Sequence, residues 1–590
     1  MKERLKKKWL IVKEKVYLKL QSFFKHEINH KDLVFLEKLG ILVLLLIFSL
    51  VFLDLNKSIS YNRYERIQFK STGATLYANL YYPSKDLNFQ EKKPLIIYCH
   101  GIGSKRDFDI RIPIEFTKRG FYVAALDYQG HGESGGSINN FNKTTGIPAL
   151  AQDCSKLLDK LEKLSFYSNV NASQIGLIGH SLGGMVVLMN QALDPRFNVT
   201  VAWAPLVNFE PPRFGLEWED HKQYIPINLL NETNTNNLLI IMHVKDEVLD
   251  FSDNALKAQN LTNCNVINIT KPLIGGGHQL FSNEVLVESI KWFETHFFSS
   301  ETINGSINIT FIWNYILIFI NLILLIIIVL LLISYTSKFF RFDSETSSLT
   351  MKMKNIFKSK SEKTNNILKI VIYTAIFIFN WYLSERLFGL TGIFYASLAF
   401  ILGYFSVKIF SYIKKPKIER AKFNLIEYLR SRIKLKFFIF TTISAWYFIG
   451  VYLIFSFYYP FAFMWPSNIT NMLISIAIFP IYFSIELLFR KIIYPQFNSI
   501  KTEKSKEKLI IFYAIFIYIN LMVLTRNLLY LPSVLFTYII LLIVSIQNTL
   551  IYKHTKHFFY VLVTSFDIIQ LFFSAVISNV IGIGAVSHLF

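Results

Sequence analysis

One pentapeptide limits this chain more than any other stretch: Gly179-His180-Ser181-Leu182-Gly183. It reads G-x-S-x-G, follows the apolar run Gln174-Ile175-Gly176-Leu177-Ile178, and precedes a helix-forming run from Met185 to Gln191. In that setting the pattern describes a strand-to-helix turn so tight that only glycines fit beside the serine, whose hydroxyl is then held up at the end of a sheet. Alone the motif says little. Its weight comes from the pieces that fall in order around it.

Upstream, Pro94-Leu95-Ile96-Ile97-Tyr98-Cys99 has the continuous apolar character of a buried parallel strand and ends in His100-Gly101-Ile102-Gly103. An H-G-x-G loop in that position supplies a backbone N–H to an oxyanion hole. One donor is thereby assigned to Ile102 and the other to Leu182, the residue after the serine. Tyr122 to Asp127 reads as another strand, leading into the Gly-rich loop Tyr128 to Gly136, where His131 is read as scaffold and not as catalyst. Downstream, the strand Leu238 to Val244 is followed by Lys245-Asp246-Glu247-Val248. A triad acid belongs at such a strand end, and Asp246 is the candidate, with Asp250 and Asp253 as alternatives. Leu273-Ile274-Gly275-Gly276-Gly277-His278 then offers an imidazole on a Gly loop ahead of a final helix, Asn283 to Phe298. His243, inside a strand, and His221, in a polar insertion, have weaker claims. The chain order makes Ser181 the nucleophile, His278 its base and Asp246 the carboxylate that orients the imidazole.

On these residues the segment from about Tyr64 to Phe298 resembles the α/β-hydrolase superfamily, in its serine aminopeptidase, monoacylglycerol lipase and dienelactone hydrolase-like branches. The stretch from Ile67-Gln68-Phe69 to Leu80-Tyr81-Tyr82-Pro83 fits the first hairpin of that group. The resemblance covers roughly two fifths of the chain. It implies an α/β-hydrolase fold, a mostly parallel sheet flanked by helices, and hydrolysis of ester, thioester or amide bonds with no metal or cofactor. The lid position, between Trp203 and Asn237, holds a short polar and aromatic segment (Phe209, Phe214, Trp218, Tyr224), which leads us to expect a fairly open site.

The remainder is a different kind of chain. Over 590 residues, 52% are hydrophobic and 16% aromatic, and the mean hydropathy of +0.36 points to a membrane protein. Three cysteines, Cys99, Cys154 and Cys264, make no disulfide framework. The formal charge of +21 is concentrated at the N-terminus and between apolar spans. That distribution is membrane topology and not a nucleic-acid-binding stripe. We read residues 1–38 as a basic cytosolic arm, 39–55 as a transmembrane signal anchor, 60–300 as an extracytoplasmic hydrolase domain, and 311–334 as a transmembrane helix. Residues 335–367 form a basic cytosolic loop and 368–590 a polytopic α-helical membrane domain. Further spans fall at about 368–383, 388–410, 437–458, 471–488, 509–525, 531–551 and 559–581. About nine transmembrane helices then place the basic loops with the N-terminus inside, and the hydrolase segment and C-terminus outside. Asn-x-Ser/Thr sequons agree: nine lie in 56–310 (Asn56, Asn142, Asn171, Asn198, Asn231, Asn260, Asn268, Asn304 and Asn308), and the remaining one, Asn468, falls in a loop assigned outside.

Glu486, Phe489 and Arg490 resemble part of the E-E-x-x-F-R-G motif of the CAAX-protease and bacteriocin-processing family. The first Glu of that motif is Ile485 here, the Gly is Lys491, and the later histidines are missing, with Ser565 or Phe566 where one would stand. The resemblance implies at most an inactive relative. The simpler reading is an i,i+4 ion pair at the cytosolic membrane edge. Asp567 lies inside the last span, where a carboxylate in hydrocarbon costs about 3 kcal/mol, so it is expected to face the bundle. Glu385 and Arg386 are expected in a short external turn. The function expected is a membrane-anchored serine hydrolase whose partners are the lipid bilayer and a small-molecule ester, lipid or peptide substrate. The alternative is a transporter or receptor with a hydrolase-like outer binding domain; an intramembrane protease is a weaker third.

Overall fold

The computed structural model describes residues 30–83, 92–106, 109–273, 276–298, 307–340, 360–414, 434–458, 469–499, 503–524 and 532–581. Most of the basic arm and of the Lys-rich loop 335–367, and the sequons Asn304 and Asn468, lie outside the described residues.

Eight strands form one sheet: β1 (Tyr61–Ser71), β2 (Ala74–Pro83), β3 (Lys93–Cys99), β4 (Tyr122–Asp127), β5 (Val170–His180), β6 (Val199–Trp203), β7 (Leu238–His243) and β8 (Asn265–Ile269). Their spatial order is β1-β2-β4-β3-β5-β6-β7-β8. β1 and β2 form an antiparallel hairpin whose second strand runs antiparallel to β4, and every later pairing is parallel. β4, β6 and β7 are buried at every position. Strands with two dry faces need helices on both sides: the crossovers supply α2 (Arg111–Thr117), α3 (Asp153–Leu161) and α4 (Leu182–Leu193), and α5 (Asn283–Phe297) follows the last strand, all after a long first helix, α1 (His30–Ser60). β4 is added on one side of β3 and β5 on the other. The connections leaving β3 and β5 therefore diverge, and the crevice outside their carboxyl ends is where α/β sheets of this kind bind ligands.

Beyond this domain follow α6 (Phe311–Phe339), α7 (Lys360–Ile413), α8 (Leu435–Tyr458), α9 (Ile469–Leu487), α10 (Glu503–Leu524), α11 (Pro532–Thr555) and α12 (Phe558–Ile581). Among the described residues, helix occupies each stretch read from the sequence as a span. Among the described residues four windows are long and apolar enough to cross a bilayer: Val34–Val51, Phe311–Ser337, Thr364–Ser384 and Gly392–Ile413. The last two share α7, which is assigned helical throughout. Yet the rings of Phe377 and Phe400 pack edge to face at 5.2 Å. A straight helix would hold residues 23 apart at about 34 Å, so α7 folds back on itself between them, where the sequence suggests a turn around Glu385 and Arg386.

One expectation about a polar residue is corrected. Asp567 is exposed, beside exposed Phe566, and does not face the bundle. Val561, Thr564, Ser565 and Ile568 occupy the inner stripe of α12, and helical periodicity leaves 567 off it. Glu486 and Arg490 do pair, at 3.1 Å, and both are fully buried. Glu486 also accepts hydrogen bonds from Tyr482 Oη (3.1 Å) and Ser545 Oγ (2.5 Å), and Arg490 donates to the Ser545 carbonyl (2.7 Å). Asn548 extends the network to Tyr482 and Ser565, both through Nδ2. The carboxylate is spent on helix–helix contacts, and buried charges persist only when paired in this way.

The sheet domain is inserted between α1 and α6. Phe35 near the start of α1 stacks on Tyr335 near the end of α6, with centroids 4.6 Å apart, so the two helices run antiparallel. At the domain end, Glu115 on α2 accepts from the backbone N–H groups of Thr310 (2.8 Å) and Phe311 (2.7 Å). It thereby satisfies donors that the first turn of α6 cannot pair internally. Lys118 neutralises the same carboxylate and also donates to Thr310 Oγ1 at 3.0 Å. Glu115→Ala should lower the Tm of the detergent-solubilised protein by several degrees, as expected from about 1–3 kcal/mol for orphaned buried donors. Glu115→Gln, which keeps an acceptor, should lower it less. An unchanged Tm in the alanine variant would show that this joint contributes nothing.

Candidate active site

β5 runs directly into α4 with a single residue, Ser181, between them. That residue adopts φ 55° and ψ −118°, a left-handed conformation that costs a non-glycine side chain about 1–3 kcal/mol. The neighbouring backbone imposes it. A Cβ at Gly183 would lie 2.3 Å from the carbonyl oxygens of both Cys99 and His100, and one at Gly179 would lie 2.2 Å from the Gly183 carbonyl. The turn is thus pressed against the end of β3, and both flanking positions exclude any side chain. Ser181 N–H donates to the Trp203 carbonyl at 2.8 Å, tying the turn to β6.

His278 Nε2 lies 2.9 Å from Ser181 Oγ. Its Nδ1 lies 2.8 Å and 3.1 Å from the two carboxylate oxygens of Asp246. Burial pushes the Asp246 carboxyl up, but the His278 ring and the N–H groups of Leu249 and Val248 outweigh it and hold the group below the usual carboxylate range. The three side chains named from the sequence are therefore brought together, in one unbroken line of hydrogen bonds. The alternatives are elsewhere engaged. Asp250 Oδ1 accepts from the Asp253 N–H, and Asp253 pairs with Lys257. His243 accepts the Lys245 N–H at Nδ1 (2.9 Å), and His221 stacks on Phe141 at 3.8 Å. Leu182 opens α4 directly after the serine, and Ile102 follows Gly101 in the loop beyond β3.

Ser181 and His278 are each only 3% exposed. The segment after Trp203 folds inward, burying Trp218 fully, with its indole N–H on the Ile138 carbonyl (3.3 Å). The Gly-rich loop is structural, as read. Asp127 accepts the Arg106 N–H (2.7 Å) and the Glu133 N–H (3.0 Å), and pairs with the Arg106 guanidinium. Burial would raise this carboxyl, but Arg106, then His100, hold it well below its ordinary range. Burial, then the neighbouring His100, pushes the His131 imidazole down to about 3, so it is neutral near pH 7.

Three anchors of the histidine loop carry no sequence signature and were missed. Glu247, next to Asp246, accepts from the N–H groups of Gly277 (2.9 Å) and His278 (3.3 Å). Gly276 has φ +95°, and a Cβ there would run into the Glu247 carboxylate. His180 Nε2 donates to the His278 carbonyl at 2.8 Å; burial, then the nearby His278, pushes the His180 imidazole down to about 4. Arg111 donates to the Leu280 carbonyl at 3.1 Å. Tandem carboxylates thus divide the labour: Asp246 holds the ring and Glu247 the backbone that carries it. Glu247→Ala should speed hydrogen exchange of the Gly277 and His278 amides about tenfold or more, the factor for losing a charge-assisted bond of about 1.5 kcal/mol. Glu247→Gln should do less, and unchanged exchange in the alanine variant would show that the carboxylate does not hold the loop.

Residues 90–253 match the family described as serine aminopeptidase, S33. A platelet-activating factor acetylhydrolase from Cavia porcellus is 26% identical over 172 residues, which span 22% of this chain and 39% of the relative. Another, from Gallus gallus, is 24% identical over 161 residues, 19% of this chain and 38% of the relative. The chain thus spans about two fifths of the length of these relatives. Among solved structures, Est1E from Butyrivibrio proteoclasticus is 19% identical with a TM-score of 0.31, over 38% of this chain and 97% of that one. The dipeptidyl peptidase 4 of Porphyromonas gingivalis is likewise 19% identical, at a TM-score of 0.32, over 40% of this chain and 35% of that one. With the sheet order, the elbow and the family match in agreement, the sheet domain of this chain has the α/β-hydrolase fold.

Proposed function

We propose that this protein is a membrane-anchored serine hydrolase that cleaves acyl compounds on the outer face of a membrane. The observation that carries the reading is the continuous Ser181–His278–Asp246 hydrogen-bonded line. In the proposed reaction Ser181 Oγ attacks the carbonyl carbon while His278 Nε2 takes its proton. The carbonyl electron pair moves onto oxygen, where the N–H groups of Ile102 and Leu182 receive it, each such donor typically worth about 3 kcal/mol. Collapse breaks the bond to the leaving group, which departs with the proton from Nε2. Water, deprotonated by the same imidazole, then releases the acid and restores the serine. Asp246 stabilises the imidazolium without taking its proton.

The relatives are acetylhydrolases and the matching family is one of aminopeptidases, which supports an acyl substrate of the ester or amide type. Membrane anchoring is supported by the apolar windows in α1 and α6, whose antiparallel packing brings both ends of the hydrolase domain to one membrane face. The outer placement is supported by the charge distribution and by the sequons. None of Asn142, Asn171, Asn198, Asn231, Asn260, Asn268 and Asn308 is buried. The nine-span arrangement is part of the same proposal. The transporter or receptor alternative has no use for a serine, imidazole and carboxylate held in line. A fluorophosphonate probe should label the wild type and not Ser181→Ala. His278→Ala should reduce p-nitrophenyl ester turnover by about three orders of magnitude or more. Undiminished labelling of the alanine variant would remove Ser181 from the mechanism.

A further inference from the structure

The short helix α2 carries two buried charges one turn apart, Arg111 and Glu115, and they grip different parts of the molecule. Arg111 lies over the rings of Trp203 (5.2 Å) and Phe281 (4.8 Å) and bonds the Leu280 carbonyl, so it holds the loop that carries His278. Glu115 caps the first turn of α6. The two grips meet directly, because Phe281 packs edge to face on Phe311, the first residue of α6, at 5.6 Å.

From that contact outward α6 is bare and apolar. Ile312, Trp313, Ile316 and Phe319 are 47%, 60%, 42% and 63% exposed. Such a surface one turn from the domain needs a partner, and the helix is apolar from Phe311 to Ser337. The 24 residues between Phe311 and Tyr335 rise about 36 Å, against about 30 Å of hydrocarbon. The outer boundary of the hydrocarbon therefore falls within the first turns of α6. Trp313, an exposed indole at that level, is the residue type that settles among lipid head groups. Phe281 touches α6 at its very start and is itself 36% exposed. Only three residues, about 10 Å of chain, separate it from the imidazole.

We propose that the His278 loop rests on the outer lipid head groups and that the active site takes its substrate from the bilayer. The substrate is then an acyl ester resident in the membrane, whose carbonyl lies at the boundary between head group and hydrocarbon. This rests on the serine-hydrolase reading above and narrows its substrate class.

The test uses the full-length protein in vesicles of ether-linked phosphatidylcholine carrying a fluorogenic acyl-ester lipid. Diluting that lipid tenfold within the membrane, at constant bulk concentration, should lower its hydrolysis about tenfold and leave p-nitrophenyl acetate turnover unchanged. In parallel, a fluorophore at Asn283→Cys, beside the loop, should be quenched by head-group spin-labelled lipid at least twice as strongly as one at Ala172→Cys. Ala172 lies nine residues of strand, about 30 Å, before Ser181, and the native cysteines are buried. Hydrolysis that ignores dilution, p-nitrophenyl acetate turnover without turnover of the lipid, or equal quenching at the two sites would overturn the proposal. Loss of both activities together with absent fluorophosphonate labelling would instead indict the hydrolase reading.

Discussion

The domain depends on a contact with no side chains in it. Gly183 lies so close to the carbonyls of Cys99 and His100 that a methyl group could not enter. That approach brings the turn after β5 against the end of β3, at the point in the sheet where the chain changes direction. Two consequences follow from one close approach. Ser181 is forced to positive φ, which lifts its hydroxyl out of the strand line, and the H-G-x-G loop is held beside it. The local strain is carried by burial on every side: β3, β5 and β6 are dry around the turn, so no relaxed alternative is open to it.

The sequence made legible those features that depend on local pattern. β3, β4, β5 and β7 were legible because a strand with two covered faces is an unbroken apolar run, and the serine and the acid follow such runs where they stop; the short β6 and the half-exposed β8 do not stand out in the sequence, and the histidine lies on a loop nine residues beyond β8. His131 read correctly as scaffold because a Gly-rich turn offers little else. Other features are set by tertiary contacts that leave no mark on spacing. Nothing in Lys245-Asp246-Glu247-Val248 says which carboxylate takes the ring and which the backbone; that depends on where the 276–278 loop returns, 30 residues later. The inward fold of the short lid segment is another such feature. Length says how much chain is available, not that Trp218 would turn inward and lie beside Phe141. Asp567 failed because insertion cost argues about whole helices, whereas the buried stripe of α12 is fixed by its neighbours.

Charge burial follows one rule in both halves of the chain. Asp127, Glu115, Glu486 and Asp246 are carboxylates with little or no exposed surface. Each has a cation or an imidazole, and each accepts at least one further hydrogen bond, which is the condition under which desolvation is offset. Three of them join segments far apart in sequence: Asp127 ties the loop after β3 to the loop after β4, Glu115 ties α2 to α6, and Glu486 ties α9 to α11. Asp153 breaks the pattern. It bonds Ser71 (2.6 Å) and the Gln129 N–H (2.9 Å) with no cation, and burial pushes its carboxyl up to about 6. Its neutral form is favoured by folding, so its contribution to stability is greatest at acid pH and fades as pH rises toward 6. Asp127 and Asp246 act in the opposite sense, since their stabilisation is lost as pH falls through their depressed values.

These links make the long apolar helix α6 part of the environment of the imidazole. From α6 the chain of contacts runs through Phe311 to Phe281, and through Glu115 and α2 to Arg111 and the Leu280 carbonyl. Both routes end on the loop that Glu247 and His180 hold from the other side. A loop rich in glycine has high conformational entropy to lose, and four separate anchors are what it takes to fix one ring in line with one hydroxyl. Because one of those anchors is the first turn of a long apolar helix, the position of the ring and the seating of the domain on that helix are not independent variables. An insertion between two antiparallel helices, with its ends brought together at one level, is the connectivity that allows such a joint to form.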